Sequence, residues 1–295
     1  MKIFDCTTYF EEDLMLDVRF NILNEFVHKF IVVEAKFSHS GKPKKLNFDI
    51  NKFKKFKDKI IYLVIENEPP GIIELKNDAQ DAAKKRLNSL KRIEQSYDYM
   101  AKGIENASDD DLIVLSDNDE IPNFNSKQFK DSRKKIIIFK QLFFYYKFNL
   151  YYDLIPWYGS KAVKKKDLKS FSWLRNLKTK KYPFWRIDTY FSNLKQRNLE
   201  IIDNGGWHFT NVKTPKDLFN KLTNFGHHID FEISGQSVED LEKSIRDQVV
   251  NYNHKIDKKE INKNTINYKL KKIDLKFLPE YLVSNKPIYD EWFAK

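Results

Sequence analysis

The feature that most constrains this chain is an apolar run that ends abruptly in carboxylates. Residues 112–122 read Leu-Ile-Val-Leu-Ser-Asp-Asn-Asp-Glu-Ile-Pro. Four consecutive branched apolar residues suit a buried strand, whereas Asp117, Asp119 and Glu120 do not suit a core. Buried charges are costly unless they are paired or bound to a metal. Asp117 and Asp119 stand two apart, so in extended backbone both side chains point to one side. Two hard oxygen donors at a strand end suit Mg²⁺ or Mn²⁺, ions often held jointly by carboxylates and substrate phosphates. The tripeptide alone also fits a solvated acidic turn closed by Pro122.

Around this run, short apolar segments alternate with helix-like stretches, the pattern of an α/β fold with a mostly parallel sheet. Strands are predicted at residues 2–6, 29–34, 59–64, 112–115 and 136–148. Helices are predicted at 12–26, 79–104, 217–228 and 238–253. The long helix over 79–104 places Leu87, Leu90, Ile93, Tyr97, Met100 and Ile104 on one face. Ligands of open α/β sheets bind beyond the carboxyl ends of the strands, where Thr7, Glu34 and Asp117 would lie. Ten aromatics fall between Phe139 and Tyr158, mostly core by expectation, with one or two available as a stacking platform. With no linker or second core in evidence, residues 1–254 read as one domain and 255–295 as a basic extension packed on it.

Composition narrows the class. Hydrophobic content of 41% and 15% aromatics over 295 residues support a folded globular chain. No apolar run reaches the roughly 18–20 residues needed to span a bilayer. The start lacks a signal-peptide core, and Cys6 is the single cysteine, so a cytoplasmic protein is expected. Fifty-three basic against 42 acidic residues give a net charge of +11. The excess is concentrated in residues 161–181, with nine Lys/Arg against Asp167, and in 255–276, with eight lysines against three acids. Solvated faces are the plain reading; peripheral contact with an anionic membrane at its inner face is the functional one. Nucleic acid is not expected as a partner, since no zinc-finger, homeodomain or RNA-recognition signature is present.

Several motifs agree in order along the chain. It opens Lys2-Ile-Phe-Asp-Cys-Thr-Thr-Tyr-Phe-Glu-Glu-Asp-Leu-Met-Leu-Asp-Val-Arg-Phe20 and continues with Phe30-Ile-Val-Val-Glu34 and Ser38-His-Ser-Gly-Lys-Pro43. Then come Ser116-Asp-Asn-Asp-Glu-Ile-Pro122, Gly205-Gly-Trp-His-Phe-Thr210 and Lys221-Leu-Thr-Asn-Phe-Gly-His227. In order and spacing these resemble glycosyltransferase family 17, the β-1,4-mannosyl-glycoprotein β-1,4-N-acetylglucosaminyltransferase-like family. The resemblance implies a GT-A-type, Rossmann-like nucleotide-sugar-binding domain. It also implies a metal-dependent, inverting transferase moving a sugar, N-acetylglucosamine first, from a UDP-sugar to a saccharide acceptor.

On that reading Asp119 is the first metal ligand, with Asp117 ligating or contacting the ribose and Glu120 orienting the shell or fixing the Ile-Pro turn. By resemblance to GT-A transferases a later histidine completes the site, His208 first and His227 as alternate. Thr7, Glu34, Trp157, Gly205, Gly206 and Trp207 are donor-binding candidates, with 157–159 expected as a loop edging the donor. Glu34 is alternatively a structural contact, and Arg19 an ion-pair partner. An inverting displacement needs a carboxylate base, for which Asp188, Asp230 and Glu232 are candidates. The chain departs from the family at Glu94-Gln95-Ser96, where relatives carry Gln-Arg, and at Ile229, where an acid is common. These departures bear on donor and acceptor identity, and because the chain shows no secretory features a bacterial or viral surface glycan or lipid-linked saccharide is the expected acceptor. A non-catalytic glycan- or nucleic-acid-binding protein and a nucleotide-sugar hydrolase are the rival classes.

Overall fold

A computed structural model describes residues 1–76, 81–226, 228–255 and 263–295. The β-branched runs of the N-terminal half form β1 (Ile3–Thr8), β2 (Lys29–Ala35), β3 (Ile60–Ile65) and β4 (Leu112–Leu115). These pair in parallel in the order β4-β1-β2-β3. Parallel pairing requires a crossover between strands, and the crossovers carry α1 (Asp13–Leu23) and α2 (Asp81–Asp98). Alternate residues feed opposite faces: Phe30 and Val32 pack with Leu16 and Phe20 of α1, while Ile31 and Val33 pack with Tyr97, Met100 and Ile104. The N-terminal half is thus a three-layer sandwich, buried on both faces of its sheet.

The rest of the chain extends this sheet and turns it mixed. The later strands are β5 (Glu120–Pro122), β6 (Ile136–Tyr145), β7 (Leu150–Tyr151), β8 (Trp157–Lys164), β9 (Leu199–Ile202) and β10 (Gly206–Thr210). β8 lies antiparallel between β4 and β6. β10 runs parallel to β6 and antiparallel to β5. Short helices α3 (Lys127–Asp131) and α4 (Phe171–Asn176) intervene, and α5 (Pro215–Asn224), α6 (His228–Ser234) and α7 (Val238–Arg246) follow. A hairpin of β11 (Val249–Tyr252) and β12 (Asn264–Lys269) stands apart, while β13 (Lys271–Lys272) pairs with β7. Beyond it α8 (Glu280–Ser284) is followed by a final 3₁₀ turn, and Leu278, Leu282, Tyr289 and Phe293 join the same core cluster as α1. The architecture is mixed α/β with a large, mostly parallel central sheet flanked by helices.

Three expectations needed correction. In α2, Leu87 and Leu90 are 51% and 60% exposed, while Asn88, Ser89 and Arg92 are buried. Their partners explain the rotation: this part of the helix covers irregular loops whose backbone needs hydrogen-bonding groups, not an apolar face. Asn88 bonds both the N–H and the C=O of Ile73, and Ser89 and Arg92 donate to His39 O. The helix expected over 238–253 ends at Arg246; Gln248 turns with φ +53° and the next residues become β11. The helix expected over 217–228 is α5, which starts at Pro215 and stops at Asn224 before α6 begins. His227 and residues 256–262 of the basic run lie outside the described residues. Among the described residues no helix is long and apolar enough to cross a membrane.

One ion pair joins the N-terminal elements to the carboxylate loop. Arg19 and Asp5 are 0% and 1% exposed. Arg19 Nε donates to Asp5 Oδ2 at 2.6 Å, NH2 donates to Oδ1, and NH1 donates to the backbone carbonyl of Glu120. The fork-to-fork geometry saturates both charges, which makes burial tolerable. Removing one partner strands the other. Arg19→Met is expected to lower unfolding free energy by about 3–5 kcal/mol in a urea titration, and Asp5→Leu/Arg19→Met to lose less than the sum of its singles. Additive losses would show that the pair is not coupled.

Candidate functional site

Strand β4 delivers its carboxylates at the end of the parallel sheet, as the Leu-Ile-Val-Leu run implies. Cys6 pairs with Leu115 and Ser116 N donates to Cys6 O, which sets Thr7 beside Ser116. The chain then turns sharply so that Glu120 starts β5, paired with β10 in a register that aligns His208 with Glu120. Phe209 N donates to Asp119 O at 2.8 Å, completing the junction. The Gly205-Gly206 pair makes this approach possible. A Cβ on Gly206, whose φ is +136°, would meet Ile121 O at 2.1 Å, and one on Gly205 would meet Ile202 O at 2.7 Å. The close approach these glycines permit is therefore that of the protein's own strands.

Asp119 is buried between two cationic or potentially cationic groups. Its Oδ1 lies 3.3 Å from His208 Nε2, and its Oδ2 accepts from Lys221 Nζ at 3.2 Å. Burial pushes the Asp119 carboxyl up, but Lys221 and His208 outweigh it and hold the group below the usual carboxylate range. Lys221 in turn is penalised by burial, yet the Asp119 and Glu12 carboxylates keep its ammonium charged. Asp117 points elsewhere: Tyr97 donates to its Oδ1, and Arg175 NH2 lies 3.4 Å from its Oδ2. Burial opposes its ionisation, while Arg175 and the Tyr97 hydrogen bond favour it and lower the carboxyl.

Glu120 braces this shell from behind. Its Oε1 accepts from Trp157 Nε1 at 2.8 Å and its Oε2 from Asp117 N at 3.1 Å. Burial, then the neighbouring Asp117 charge, pushes its carboxyl up to about 7. Gly159 leaves room for it: a Cβ there would sit 1.9 Å from Gln141 Oε1 and 2.8 Å from Glu120 Cδ. Trp157 also stacks on His208, with ring centroids 4.1 Å apart, and Phe143 stacks at 4.5 Å from the same imidazole. Trp157 belongs to β8, not to a loop, and its position follows from the sheet. The His208 ring is therefore fixed in plane, while among the described residues its buried Nδ1 has no hydrogen-bond partner.

Other candidates are placed in structural roles. Glu34 is fully buried and consumed by the loop that follows β2: it accepts from Asn47 N at 2.8 Å, Phe48 N at 3.1 Å and Tyr62 OH at 2.7 Å, and pairs with Lys44. These bonds give Glu34 a structural role in that loop. Trp207 Nε1 donates to Phe277 O, tying β10 to the C-terminal segment. Asp188 is held by Arg186 and Lys195 in a surface loop, Asp230 is bonded by Arg86 and Lys263, and Glu232 is half exposed near Lys85. Glu11 is among the acids that do share the Asp119 cavity. This cavity of about 110 Å³ is lined by Asp119, Lys221, Glu11, Glu12, Lys213 and Asp217, among others. Among the described residues Glu11 Oε1 accepts no hydrogen bond, Lys213 lies 3.7 Å from it, and burial raises the carboxyl.

Lys221, Arg175, Tyr97 and Glu11 are the residues of this site that sequence reasoning left unassigned. Lys221 stood inside a quoted motif, and Glu11 inside the opening one. Their convergence on Asp119 depends on α5 and the residues before α1 meeting in space.

A divalent cation fits here with few protein ligands. The 3.3 Å between Asp119 Oδ1 and His208 Nε2 is close to the separation of neighbouring ligands on one octahedral ion, about 3 Å for bonds of roughly 2.1 Å. Among the described residues no three His, Cys, Asp or Glu side chains converge as a complete metal cage. Mg²⁺-type sites commonly use one or two protein ligands and take the remainder from substrate phosphates and water.

Over 112 residues the chain is 30% identical to the beta-1,4-mannosyl-glycoprotein 4-beta-N-acetylglucosaminyltransferases of Homo sapiens and of Rattus norvegicus. Each match covers 37% of this chain and 19% of the relative, so the chain spans about a fifth of the length of the relatives it matches. Among solved structures, HddC from Yersinia pseudotuberculosis aligns with a TM-score of 0.34 and 12% identity, covering 70% of this chain and 92% of that one. That likeness is too distant to carry anything over. The family model for glycosyltransferase family 17, by contrast, matches residues 1–289. The chain belongs to glycosyltransferase family 17.

Proposed function

We propose that this glycosyltransferase uses a UDP-sugar, UDP-N-acetylglucosamine first, in a metal-dependent inverting transfer to a saccharide acceptor. The observation that carries the reading is the Asp119 cluster: a buried carboxylate flanked by His208 and Lys221 at the end of the parallel sheet. A sugar leaving as its nucleoside diphosphate develops negative charge on the terminal phosphate. Catalysis of such a step is chiefly a matter of stabilising that charge with preorganised groups.

Asp119 and His208 would hold Mn²⁺ or Mg²⁺, which when bound supplies Lewis-acid charge to the diphosphate oxygens. Lys221, held by Asp119, supplies a fixed positive charge in the same cavity. Arg175 is partly exposed and pairs with Asp117, two residues before Asp119. Trp157 and Phe143 hold the His208 plane. Glu11 is the carboxylate of this cavity suited to take the proton of the acceptor hydroxyl, since one of its oxygens accepts no hydrogen bond and burial raises its basicity.

Three outcomes follow. UDP-N-acetylglucosamine with Mn²⁺ should raise the melting midpoint, a chelator should remove the shift, and Asp119→Asn should abolish it; a full shift in Asp119→Asn would sink the ligand assignment. Lys221→Met should cut turnover on the order of 100-fold while a donor-dependent shift persists. Glu11→Gln should lower kcat by roughly 10²–10⁴-fold with donor binding retained. Unchanged kcat in Glu11→Gln would move the base elsewhere.

A further inference from the structure

The segment joining α4 to β9 is built inside out. Phe184, Trp185, Ile187, Tyr190 and Phe191 are 66–86% exposed, although a loop of this composition would ordinarily fold its rings against the body. Single exposed apolar residues are normal, but a contiguous group marks an interaction surface. Its polar groups do the bracing. Arg186 donates to both oxygens of Asp188 at 2.8 Å, and Lys195 donates to Asp188 at 2.6 Å. Arg197 donates to Thr189 Oγ1 at 2.6 Å and to Arg186 O at 2.8 Å, and its guanidinium lies 3.7 Å from the Tyr190 ring centre. At the base, Lys178 N donates to Leu194 O, and Trp173 Nε1 to Asn193 O. The loop is held in a shape that keeps its apolar side chains out.

Its charge selects the partner. Between residues 178 and 197 there are six Lys/Arg and one acid, Asp188, and that acid is already paired with Arg186 and Lys195. Lys178, Lys180 and Lys181 are exposed beside the rings. Aromatic tips flanked by Lys and Arg suit the headgroup region of an anionic bilayer, where rings sit at the boundary and ammonium groups meet lipid phosphates. A second copy of this chain would instead bring two such collars face to face, a like-charge juxtaposition that costs binding.

We propose that residues 180–191 are a membrane-docking tip, inserting Phe184, Trp185 and Phe191 into the headgroup layer of an anionic lipid bilayer. Arg175, three residues before Lys178, reaches Asp117, so the tip leaves the fold next to the carboxylate site. Docking holds that site at the membrane surface, where a lipid-anchored acceptor is presented. The exposure and charge of the tip are independent of the donor assignment.

The test is flotation of the full chain with vesicles of phosphatidylcholine alone and with roughly one-third phosphatidylglycerol. The wild-type protein is expected to partition at least about tenfold more strongly into the anionic vesicles. The variant Phe184→Ser/Trp185→Ser/Phe191→Ser is expected to lose at least about tenfold of that partitioning while keeping its melting midpoint and any donor-dependent shift. Absence of wild-type flotation, or equal flotation of the variant, overturns the proposal. So does concentration-dependent dimerisation that the variant abolishes without any vesicle binding, or protection of Trp185 by a soluble saccharide alone.

Discussion

The contact on which the rest depends is the buried Arg19 fork. One guanidinium from α1 closes on Asp5 of β1 and on the carbonyl of Glu120, so helix, first strand and carboxylate loop share a single anchor. Water cannot substitute for any of these bonds at 0% exposure, and an unpaired charge there would cost several kcal/mol. The turn carrying Asp117 and Asp119 therefore has its position set by the core beneath it. A site that stabilises developing charge gains most from groups fixed in advance, because no reorganisation is then needed during reaction.

Around that anchor the site is layered by charge. Asp119 faces Lys221 and His208, Asp117 faces Arg175 and Tyr97, and Glu120 sits behind both with its carboxyl raised to about 7. Three acids in four positions would repel one another if left alone. Here each has a different partner set and hence a different protonation preference. The aromatic pair Trp157 and Phe143 then fixes the imidazole plane. Two of the aromatics of 139–158 thus stack on a protein ring.

Much of the parallel half could be read from the chain because its signal is local. Branched runs such as Ile60–Ile65 and Leu112–Leu115 suit strands, and Leu112–Leu115 is buried along its whole length. Where reading failed, the deciding contacts were distant in sequence. Leu87 and Leu90 have helical spacing, yet α2 turns Asn88 and Arg92 inward because loops 38–41 and 67–73 need both donors and acceptors. Val249–Tyr252 continues the period of α7, yet becomes a strand because Asn264–Lys269 pairs with it. Glu34 looked like a strand-end ligand contact, and only the path of residues 44–48 shows that every one of its acceptors is taken.

What the sequence determined by itself is the strand that ends in Asp117 and Asp119, the α/β class and the motif order that places the chain in its family. Each follows from short-range pattern: side-chain alternation, β-branching and the cost of burying charge. Tertiary structure alone decided that Lys221, a hundred residues onward, would neutralise Asp119, that Glu11 would share its cavity, and that the rings of 184–191 would face outward. Those outcomes depend on which surfaces meet once the sheet has formed, and electrostatic pairing at a few ångströms has no counterpart in linear spacing.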